Sequence, residues 1–535
     1  MALRINFNAE AAVTHTALLQ NERAMNKSLL RISTGNRILS AADDAAGLFI
    51  ADQLAVVGSA LDQGNRNIQT GISALQIAET NVGQIFDKLQ TIYTKAQSAA
   101  NDINDPNARS ALQRDIANLV DAVQKLGTDT EYNGIKLLDG TFSNRVIHYG
   151  ARADQTLTVG INSVKANDLG AYMVQGAYST NQATASAAAG STVANGYAAT
   201  SGAVTGNFLY TSGSDVAKVY GLDVSTGLSF AVDAKKIADN INSSTNLQNA
   251  GISARASNTS TAAAGWSDIQ VGTGQSLQIK FFVGTDNTAD ITINVSEGQT
   301  LTLSDLVAQI NSQASANGSN ITAKADNNKL VLTTQGETIG LEVSVSAAAP
   351  TSGTSTISVD MAQFLGLSST GQNVSAAATT GGAASATGSA IQAGKLVIMG
   401  TDQYNYDFTG LTNSAGTEGL GIAGATGNAT FNNLYSLNVT TNENAETALD
   451  IVKTAIQRVD KIRTQVGSVI NNLQAIWDGQ KASYDNTKEA ENLIRNTDFA
   501  AEMSTFTTMQ IKMQSGMAML AQANALPQLV LQLLR

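Results

Sequence analysis

The chain has 535 residues, no cysteine, two histidines and a formal net charge of −11. This length predicts about three or four domains. The lack of cysteine excludes disulfides and thiolate metal sites, and the acidic balance argues against nucleic acid as a partner, because nucleic-acid binding needs a basic surface. The first residues hold no apolar run typical of a secretory signal, and no uninterrupted stretch of about 18 apolar residues predicts a membrane span.

The N-terminal region has the pattern of two helices. Residues 1 to 40 predict an amphipathic helix, and a new helix should begin near Asp43, because Ser40 and Asp43 have the spacing of a capping box. From Leu54 to Ala99 apolar or small residues recur every three or four positions. This repeat predicts a supercoiled helix that packs along one seam as a rod of roughly 70 Å. We expect the rod core to include Leu54, Val57, Leu61, Ile68, Leu75, Val82 and Leu89.

The long helix should end before a second helical segment. Asp105-Pro106 predicts the break, since proline donates no backbone hydrogen bond and restricts the residue before it. Tyr132-Asn133-Gly134 predicts a turn, and the alternation between Val146 and Val164 predicts a β-hairpin.

The middle of the chain, about 170 to 440, has a different composition. Residues 169–214 and 361–394 contain no charged residue and consist mostly of Ala, Gly, Ser, Thr and Asn, which is typical of flexible linkers or disorder. Three segments nevertheless predict strands: 279–283, 291–295 and 330–334.

The middle also contains an internal repeat. Residues 237–242 and 252–256 recur as 306–311 and 321–325, at an offset of 69 residues without a gap. Each copy predicts a short helix that leads into a strand, so we expect two related α+β modules.

The C-terminal region is helical again. Thr440 and Glu443 have capping-box spacing before a predicted helix over 445–478. A final helix is predicted over 490–535. The C-terminal rod core should include Val452, Ile456, Val459, Val466 and Leu473.

The first and last helices each carry an apolar stripe that no adjacent sequence can cover. The last stripe is rich in methionine, whose flexible side chain packs against irregular surfaces. We expect the two stripes to cover each other and then to contact other copies of the chain. Their members are Leu18, Met25, Leu29, Ile32, Phe499, Met503, Phe506, Met513, Met517 and Leu520.

A search for catalytic or metal-binding motifs finds none. His15 and His148 are far apart in sequence, and zinc-protease, nucleophile-elbow and phosphate-loop motifs are absent. The paired Asp43 and Asp44 are explained by helix-start acids that favour the macrodipole. The sequence predicts no enzyme and no cofactor.

Three segments resemble one family. Residues 33–51 (STGNRILSAADDAAGLFIA) and 521–535 (AQANALPQLVLQLLR) are similar to the N- and C-terminal signatures of bacterial flagellin, and 131–140 (EYNGIKLLDG) is a third match. The resemblance covers about 1–175 and 440–535, and the repeated central modules are similar to an insertion motif of flagellin outer domains.

This resemblance implies an α+β multidomain fold in which both termini form a long coiled-coil bundle with a β-hairpin, and the centre forms β-rich outer domains. The expected domains are 1–43 (inner-tube helix), 44–175 (rod with hairpin), 176–435 (outer domains, with modules near 215–260 and 279–335), 436–489 (rod) and 490–535 (inner-tube helix).

The resemblance also implies a function. The chain would be an extracellular subunit that self-assembles into the flagellar filament for swimming. Its expected partners are other copies of itself, the flagellar type III export apparatus, a secretion chaperone, the filament cap and the hook-associated proteins. Two alternatives remain: a hook–filament junction protein, and a non-flagellar surface adhesin that uses the repeated middle.

Two further expectations concern the surface. Receptor-activating flagellins have two arginines and an apolar residue where this chain has Thr91, Tyr93 and Lys95, so activation of the flagellin-sensing Toll-like receptor should be weak or absent. The Ser- and Thr-rich tracts, for instance Tyr178-Ser179-Thr180 and Ser368-Ser369-Thr370, are candidate O-glycosylation sites.

Overall fold

The computed structural model describes residues 7–101, 103–194, 197, 217–367, 371–411, 420–422 and 426–533. The chain divides into two compact units: the first comprises Met1–Asn81, Thr130–Asn162 and Ile462–Arg535, and the second Val82–Asp129 and Ser163–Lys461. The described helices are α1 (Ala9–Thr34), α2 (Ala45–Ala99), α3 (Pro106–Asp129), α4 (Ala234–Ser243), α5 (Thr245–Asn249), α6 (Leu303–Asn317), α7 (Asn442–Arg495) and α8 (Phe499–Leu533).

The described strands are short except in the central region. They are β1 (Glu131–Tyr132), β2 (Ile135–Lys136), β3 (Arg145–His148), β4 (Thr156–Val159), β5 (Gly170–Gln175), β6 (Ser179–Ala183), β7 (Ser186–Ala187), β8 (Thr192–Ala194), β9 (Lys218–Val219), β10 (Leu222–Asp223), β11 (Ile252–Thr261), β12 (Ile269–Gln270), β13 (Gln275–Val283), β14 (Ile291–Val295), β15 (Thr300–Leu301), β16 (Thr322–Asp326), β17 (Lys329–Thr334), β18 (Ile339–Ala347), β19 (Thr354–Asp360), β20 (Asn373–Thr379), β21 (Ala384–Ala393), β22 (Lys395–Gly400), β23 (Asn405–Asp407), β24 (Thr426–Asn428) and β25 (Thr430–Asn433).

The predicted fold class is confirmed. Long helices come from both terminal regions, β3 and β4 form an antiparallel hairpin, and the centre is rich in strands. By length and mean hydropathy, α2 is the one helix of the described ranges that matches a membrane span. A single such helix is weak evidence for a span, because core helices of globular proteins have similar composition.

Two helix starts differ from the predicted capping boxes. Asp44 caps α2, since its Oδ1 accepts a hydrogen bond from the Gly47 N–H (2.8 Å). Thr441 caps α7 in place of Thr440, because its Oγ1 accepts from the Asn444 N–H (3.2 Å). Glu443 instead pairs with Lys395. The capping role in both cases belongs to the side chain directly before the first helical turn.

Other helix boundaries also differ in extent. Pro106 is the first residue of α3, the position at which proline's missing N–H costs nothing. α7 continues to Arg495, well past the predicted end at 478. Its later part has few apolar positions, so the apolar pattern stops before the helix does.

In the first unit the hairpin β3–β4 packs closely on α2. A Cβ atom at Gly64 would lie 2.0 Å from the carbonyl oxygen of Tyr149, and one at Gly71 would lie 2.6 Å from Ile147 Cδ1. The two glycines are seven residues apart and therefore lie on one face of the helix. They allow the hairpin backbone to contact α2 directly, and Asn67 Nδ2 between them donates to the His148 carbonyl (2.9 Å).

The second unit contains the central strands. One six-stranded sheet has the order β16-β17-β11-β22-β5-β25, and a second sheet has the order β14-β13-β18-β21-β6, with β8 also paired to β21. The largest core includes Phe281, Leu306, Leu341 and Phe364. A second core packs α4 against β11 and β22 and includes Ile237 and Ile398.

The two copies of the repeat share one helix-to-strand contact, although the first copy has two short helices, α4 and α5, where the second has the single helix α6. Asn242 on α4 donates from Nδ2 to the Ala254 carbonyl (2.7 Å) and accepts at Oδ1 from the Ala254 N–H (2.9 Å). Asn311 on α6 makes both bonds with Ala323, each at 2.8 Å. In each copy one amide side chain thus fixes the helix to the following strand.

The described parts of the uncharged tracts contain ordered strands, which corrects the expectation of linker or disorder for those parts. Residues 371–394 include β20 and β21, and 170–194 include β5 to β8. In β20 the alanines at 376 and 378 are buried, while the residues between them are partly exposed. A strand of small side chains can therefore bury every second residue in the core and needs no charged residue on its other face. Residues 195–196, 198–216 and 368–370 lie outside the described part of the chain.

Candidate assembly interface

The paired terminal helices are the candidate functional site of the first unit. α1 and α8 run antiparallel: Asn8 Nδ2 donates to the Ala523 carbonyl (2.8 Å), and Ser28 Oγ donates to the Glu502 carbonyl (3.3 Å). The side chain of Asn8 also caps α1, because its Oδ1 accepts from the Ala11 N–H (3.1 Å). The polar contacts therefore fix the register of the pair.

Backbone hydrogen bonds join the segment after α1 to the end of α7 and to the connection between α7 and α8. The Arg37 N–H donates to the Arg495 carbonyl (2.7 Å), and the Thr497 N–H donates to the Gly35 carbonyl (2.9 Å). Arg37 Nη2 also donates to the Ile494 carbonyl (2.8 Å). We call residues 35–37 with 494–497 the clasp.

Asp43 and Asp44, which follow the clasp residues of the N-terminal region in sequence, have structural roles. Asp43 contacts Lys27 and accepts hydrogen bonds from the Leu39 and Ser40 N–H groups. The bond from Lys27, followed by that from the Leu39 N–H, holds the pKa of the Asp43 carboxyl below its ordinary value. Because Asp43 binds the turn and Asp44 caps α2, neither carboxylate is positioned as a catalytic pair.

The predicted inner-tube residues divide into two groups. Six are half-buried along the pair: Leu18, Met25, Ile32, Phe506, Met513 and Leu520. The other four are exposed: Leu29, Phe499, Met503 and Met517.

Further apolar side chains on the pair, missed by the heptad pattern, are also exposed. Together with the four above they form what we call the apolar stripe, in which each side chain is between 41% and 70% exposed. Adjacent pairs such as Leu18-Leu19 and Leu29-Leu30 could have signalled it, because two consecutive apolar residues cannot both face one seam. The stripe consists of Val13, Leu19, Leu29, Leu30, Phe499, Met503, Ile511, Met517 and Met519.

An exposed apolar surface of this kind marks a contact with another molecule. Ser28 is the buried residue of α1 and Ala523 that of α8, so the pair has almost no closed core among its described side chains. α2 carries a second exposed group, which includes Phe49, Ile50 and Val56.

The predicted rod-core residues are mostly buried. Leu54 and Ile456 are half-buried, and Val57 is 37% exposed, so Val57 lies at the surface of the single chain rather than in its core. It neighbours the exposed Val56, and the heptad pattern cannot separate an internal seam from a surface that faces another molecule. The buried residues are Leu61, Ile68, Leu75, Val82, Leu89, Val452, Val459, Val466 and Leu473.

The predicted receptor segment lies on the second unit's part of α2. Thr91 Oγ1 donates to the Asp87 carbonyl (2.9 Å), and Lys95 Nζ binds Asp115 Oδ2 (2.8 Å). Tyr93 is half-buried at a polar cleft of about 1170 Å³ that Arg255 also lines.

Within the described ranges, no group of three or more His, Cys, Asp or Glu side chains is placed to hold a metal ion. His15 is exposed on α1, and His148 lies in β3.

Comparison with known proteins identifies the family to which the chain belongs. The family model of the bacterial flagellin N-terminal helical region matches residues 5–143, and that of the C-terminal helical region matches 449–534. A flagellin of Aquifex pyrophilus is 52% identical over the full length of both chains, and a flagellin of Aquifex aeolicus is 49% identical over the full length of both. The chain belongs to the bacterial flagellin family.

The chain is accordingly a structural subunit of the flagellar filament, which is extracellular, and it is not an enzyme. The prediction of a filament subunit is confirmed, and nothing favours the junction-protein or adhesin alternatives. Among solved structures, FliC from Burkholderia pseudomallei aligns with 75% of this chain and 99% of its own at 13% identity, with a TM-score of 0.28, too low to support an argument.

Proposed function

We propose that the α1–α8 pair is the inner-tube element of the filament and that neighbouring copies bury its apolar stripe. The observation that carries this proposal is the stripe itself, which leaves large apolar side chains in water when the chain is alone. Burying one such side chain stabilises a contact by about 1.5–3 kcal/mol. The rod helices would form the surrounding layer, and the central domains would project outward within the predicted boundaries.

A charge placed in the stripe tests this role. Met517 is 50% exposed, so Met517→Lys should leave the monomer folded while the critical concentration for polymerisation rises about tenfold or more. Gln514→Lys, at an exposed polar position of the same helix, is the matched control for charge alone. Equal critical concentrations for Met517→Lys and the unmodified chain would contradict the proposal.

We propose that the chain reaches the filament tip by export rather than by a cleaved signal. It would pass unfolded through the flagellar type III apparatus with a secretion chaperone, and then meet the filament cap and the hook-associated proteins. The lack of cysteine supports this route, because the chain cannot cross-link itself during transit. Retention of the chain in cells without a working export apparatus, with release in matched wild-type cells, is the expected result.

The receptor prediction also stays a proposal. Lys95 is engaged by Asp115, and the side chains of Thr91 and Tyr93 offer neither the charge nor the shape of arginine. Purified monomer should give little or no response in a cell reporter for the flagellin-sensing Toll-like receptor, and Thr91→Arg with Tyr93→Arg should raise it. A strong response to the unmodified monomer would refute the proposal.

O-glycosylation of the outer domains is a further proposal. Ser179 and Thr180 are half-buried in β6 and paired with β21, whereas Ser368, Ser369 and Thr370 lie outside the described residues. A mass of intact protein above the 55.4 kDa of the bare chain is the expected result. Agreement with 55.4 kDa would exclude the modification.

A further inference from the structure

One hairpin turn of the second unit carries a residue that its backbone conformation disfavours. Tyr220 and Gly221 join β9 to β10 with φ angles of +53° and +76°. Two-residue hairpins of this type need positive φ at both central positions, for which Asn and Gly are the preferred residues. A bulky side chain in this left-handed region is an outlier, and such strain is concentrated at functional positions.

The other two-residue hairpins of the described chain make the contrast clear. Asn133 occupies the first central position between β1 and β2 (φ +50°), and Asn327 occupies it between β16 and β17 (φ +47°). In the described two-residue hairpins, Asn thus occupies this position twice and Tyr once. Turn geometry alone does not explain the tyrosine.

The side chain of Tyr220 is also left free. It is 55% exposed, and no described residue forms a ring contact or a side-chain hydrogen bond with it. It lies at a groove of about 410 Å³, a volume within the usual range of small-ligand sites. The ring is therefore available to a ligand in that groove.

The rest of the groove is mainly polar and close to neutral, with Ala250, Ile252 and Tyr404 as its apolar members. Asn249, Gln403 and Gln457 line it with side-chain amides, none of which is hydrogen-bonded to a described residue. Asp402 and Lys461 also line it and face each other at 3.7 Å, so their charges offset. An amide donates and accepts at once, as a hydroxyl-bearing ligand requires.

We propose that this groove binds a neutral saccharide. The Tyr220 ring covers the C–H face of one pyranose, because an aromatic face is apolar with negative electrostatic potential and attracts polarised C–H groups. The amides of Gln403, Gln457 and Asn249 bind the sugar hydroxyls, and Asp402 accepts from a further one. The balanced charge disfavours strongly anionic ligands, and of the two tyrosines that line the groove only Tyr220 is exposed, which is too little aromatic surface to hold an apolar ligand. The site adds recognition to the filament and does not depend on the assembly proposal.

The decisive variant replaces the strained tyrosine with the residue that the turn prefers. Tyr220→Asn relieves the left-handed strain, so the outer domain should melt about 2–4 °C higher. The probes are lactose, cellobiose and N,N′-diacetylchitobiose, with sialyllactose as the charged comparison, studied by saturation-transfer NMR with the full-length monomer. At least one neutral disaccharide should receive saturation from the unmodified chain, and Tyr220→Asn should weaken its binding about tenfold or more.

Controls locate the site and separate free from surface-bound sugar. Gln403→Ala should weaken binding with little change in melting temperature, whereas Tyr178→Asn, in the larger cleft, should leave binding unchanged. Filaments on a surface that carries the same disaccharide should bind more tightly than the monomer, through multivalency; equal binding would limit the site to free sugar and contradict recognition by the filament. The proposal is overturned by an absence of transfer to all three neutral disaccharides, by equal transfer in Tyr220→Asn, by loss confined to Tyr178→Asn, or by a lower melting temperature for Tyr220→Asn.

Discussion

The α1–α8 pair and the central β-rich region use apolar side chains in opposite ways. In β22 all six residues are buried, and Phe281 and Leu341 are wholly enclosed by other parts of the second unit. On the pair, large side chains such as Val13 and Ile511 face water at 70% and 60% exposure. The described core of the central region is closed within one chain, whereas the pair leaves its apolar stripe open, and we propose that other copies cover it. Substitutions should therefore affect folding in one region and assembly in the other.

The largest effect on folding is expected at Phe281. Its side chain is fully buried between β14 and β18, and Phe281→Ala should lower the free energy of unfolding by about 3–5 kcal/mol. Denaturant titration of the monomer measures this, with Ser276→Ala on an exposed position of the same strand as the control. Filaments should still form, because the proposed assembly surface is unchanged. Loss of filament formation in Phe281→Ala would contradict the separation of folding in one region from assembly in the other.

A pH effect of intermediate size is expected from Asp233. Its carboxylate accepts from the Lys236 and Thr338 N–H groups (2.7 and 2.9 Å), but burial dominates and raises its pKa to about 6. Since this folded-state pKa exceeds the unfolded one, the ionised group destabilises the fold at neutral pH. Stability should rise by up to about 3 kcal/mol as pH falls from 7 to 4.

This prediction is tested by how the free energy of unfolding changes with pH, and not by its absolute value. Asp233→Asn should abolish the gain between pH 7 and pH 4, whereas Asp239→Asn, at an exposed position of the same helix, should keep it. An unchanged slope in Asp233→Asn would assign the pH dependence to another group.

A smaller effect is expected from the repeated asparagines. Asn242→Ala and Asn311→Ala each remove two hydrogen bonds to a strand backbone and should cost about 1–3 kcal/mol. Similar losses in the two variants, measured by thermal unfolding, would sharpen the view that the modules are equivalent. A loss in one variant alone would show that one copy is held mainly by its apolar core.

The smallest effect on folding is expected in the apolar stripe. Ile511→Ser, at a side chain 60% exposed, should change monomer stability by less than about 0.5 kcal/mol. Polymerisation should nevertheless be impaired, as light scattering of the same sample would show. A large loss of monomer stability would mean that the pair has a closed core after all.

Helices and modules could be predicted from sequence because their signals are local. The heptads of α2 depend on residues a few positions apart, the repeat is found by comparing two short continuous segments, and the family signatures lie in or next to the terminal helices. Contacts between distant residues had no such signal. Arg255, for example, binds Asp450 Oδ2 and Glu446 Oε2, each at 2.9 Å, across nearly 200 residues.

The side of a helix that faces another molecule was equally hidden. Val57 matches the apolar repeat as well as Leu61 does, yet Leu61 is 6% exposed and Val57 is 37% exposed. Apolar periodicity indicates which face of a helix is apolar, but it does not show whether the same chain or another molecule buries that face. The uncharged tracts were misleading for a different reason. In β20 the residues alternate between buried and exposed or half-buried positions, but most of them are small, so the strand lacks the large apolar residues that usually mark one.

The contact between Asn8 and Ala523 also sets an order in time. These residues are 515 positions apart, so at about 5–20 residues per second α1 leaves the ribosome roughly 25–100 s before its partner helix exists. For that whole interval the nascent chain lacks one half of the helix pair that we propose joins the copies. On this proposal, polymerisation inside the cell waits until the last helix has been synthesised.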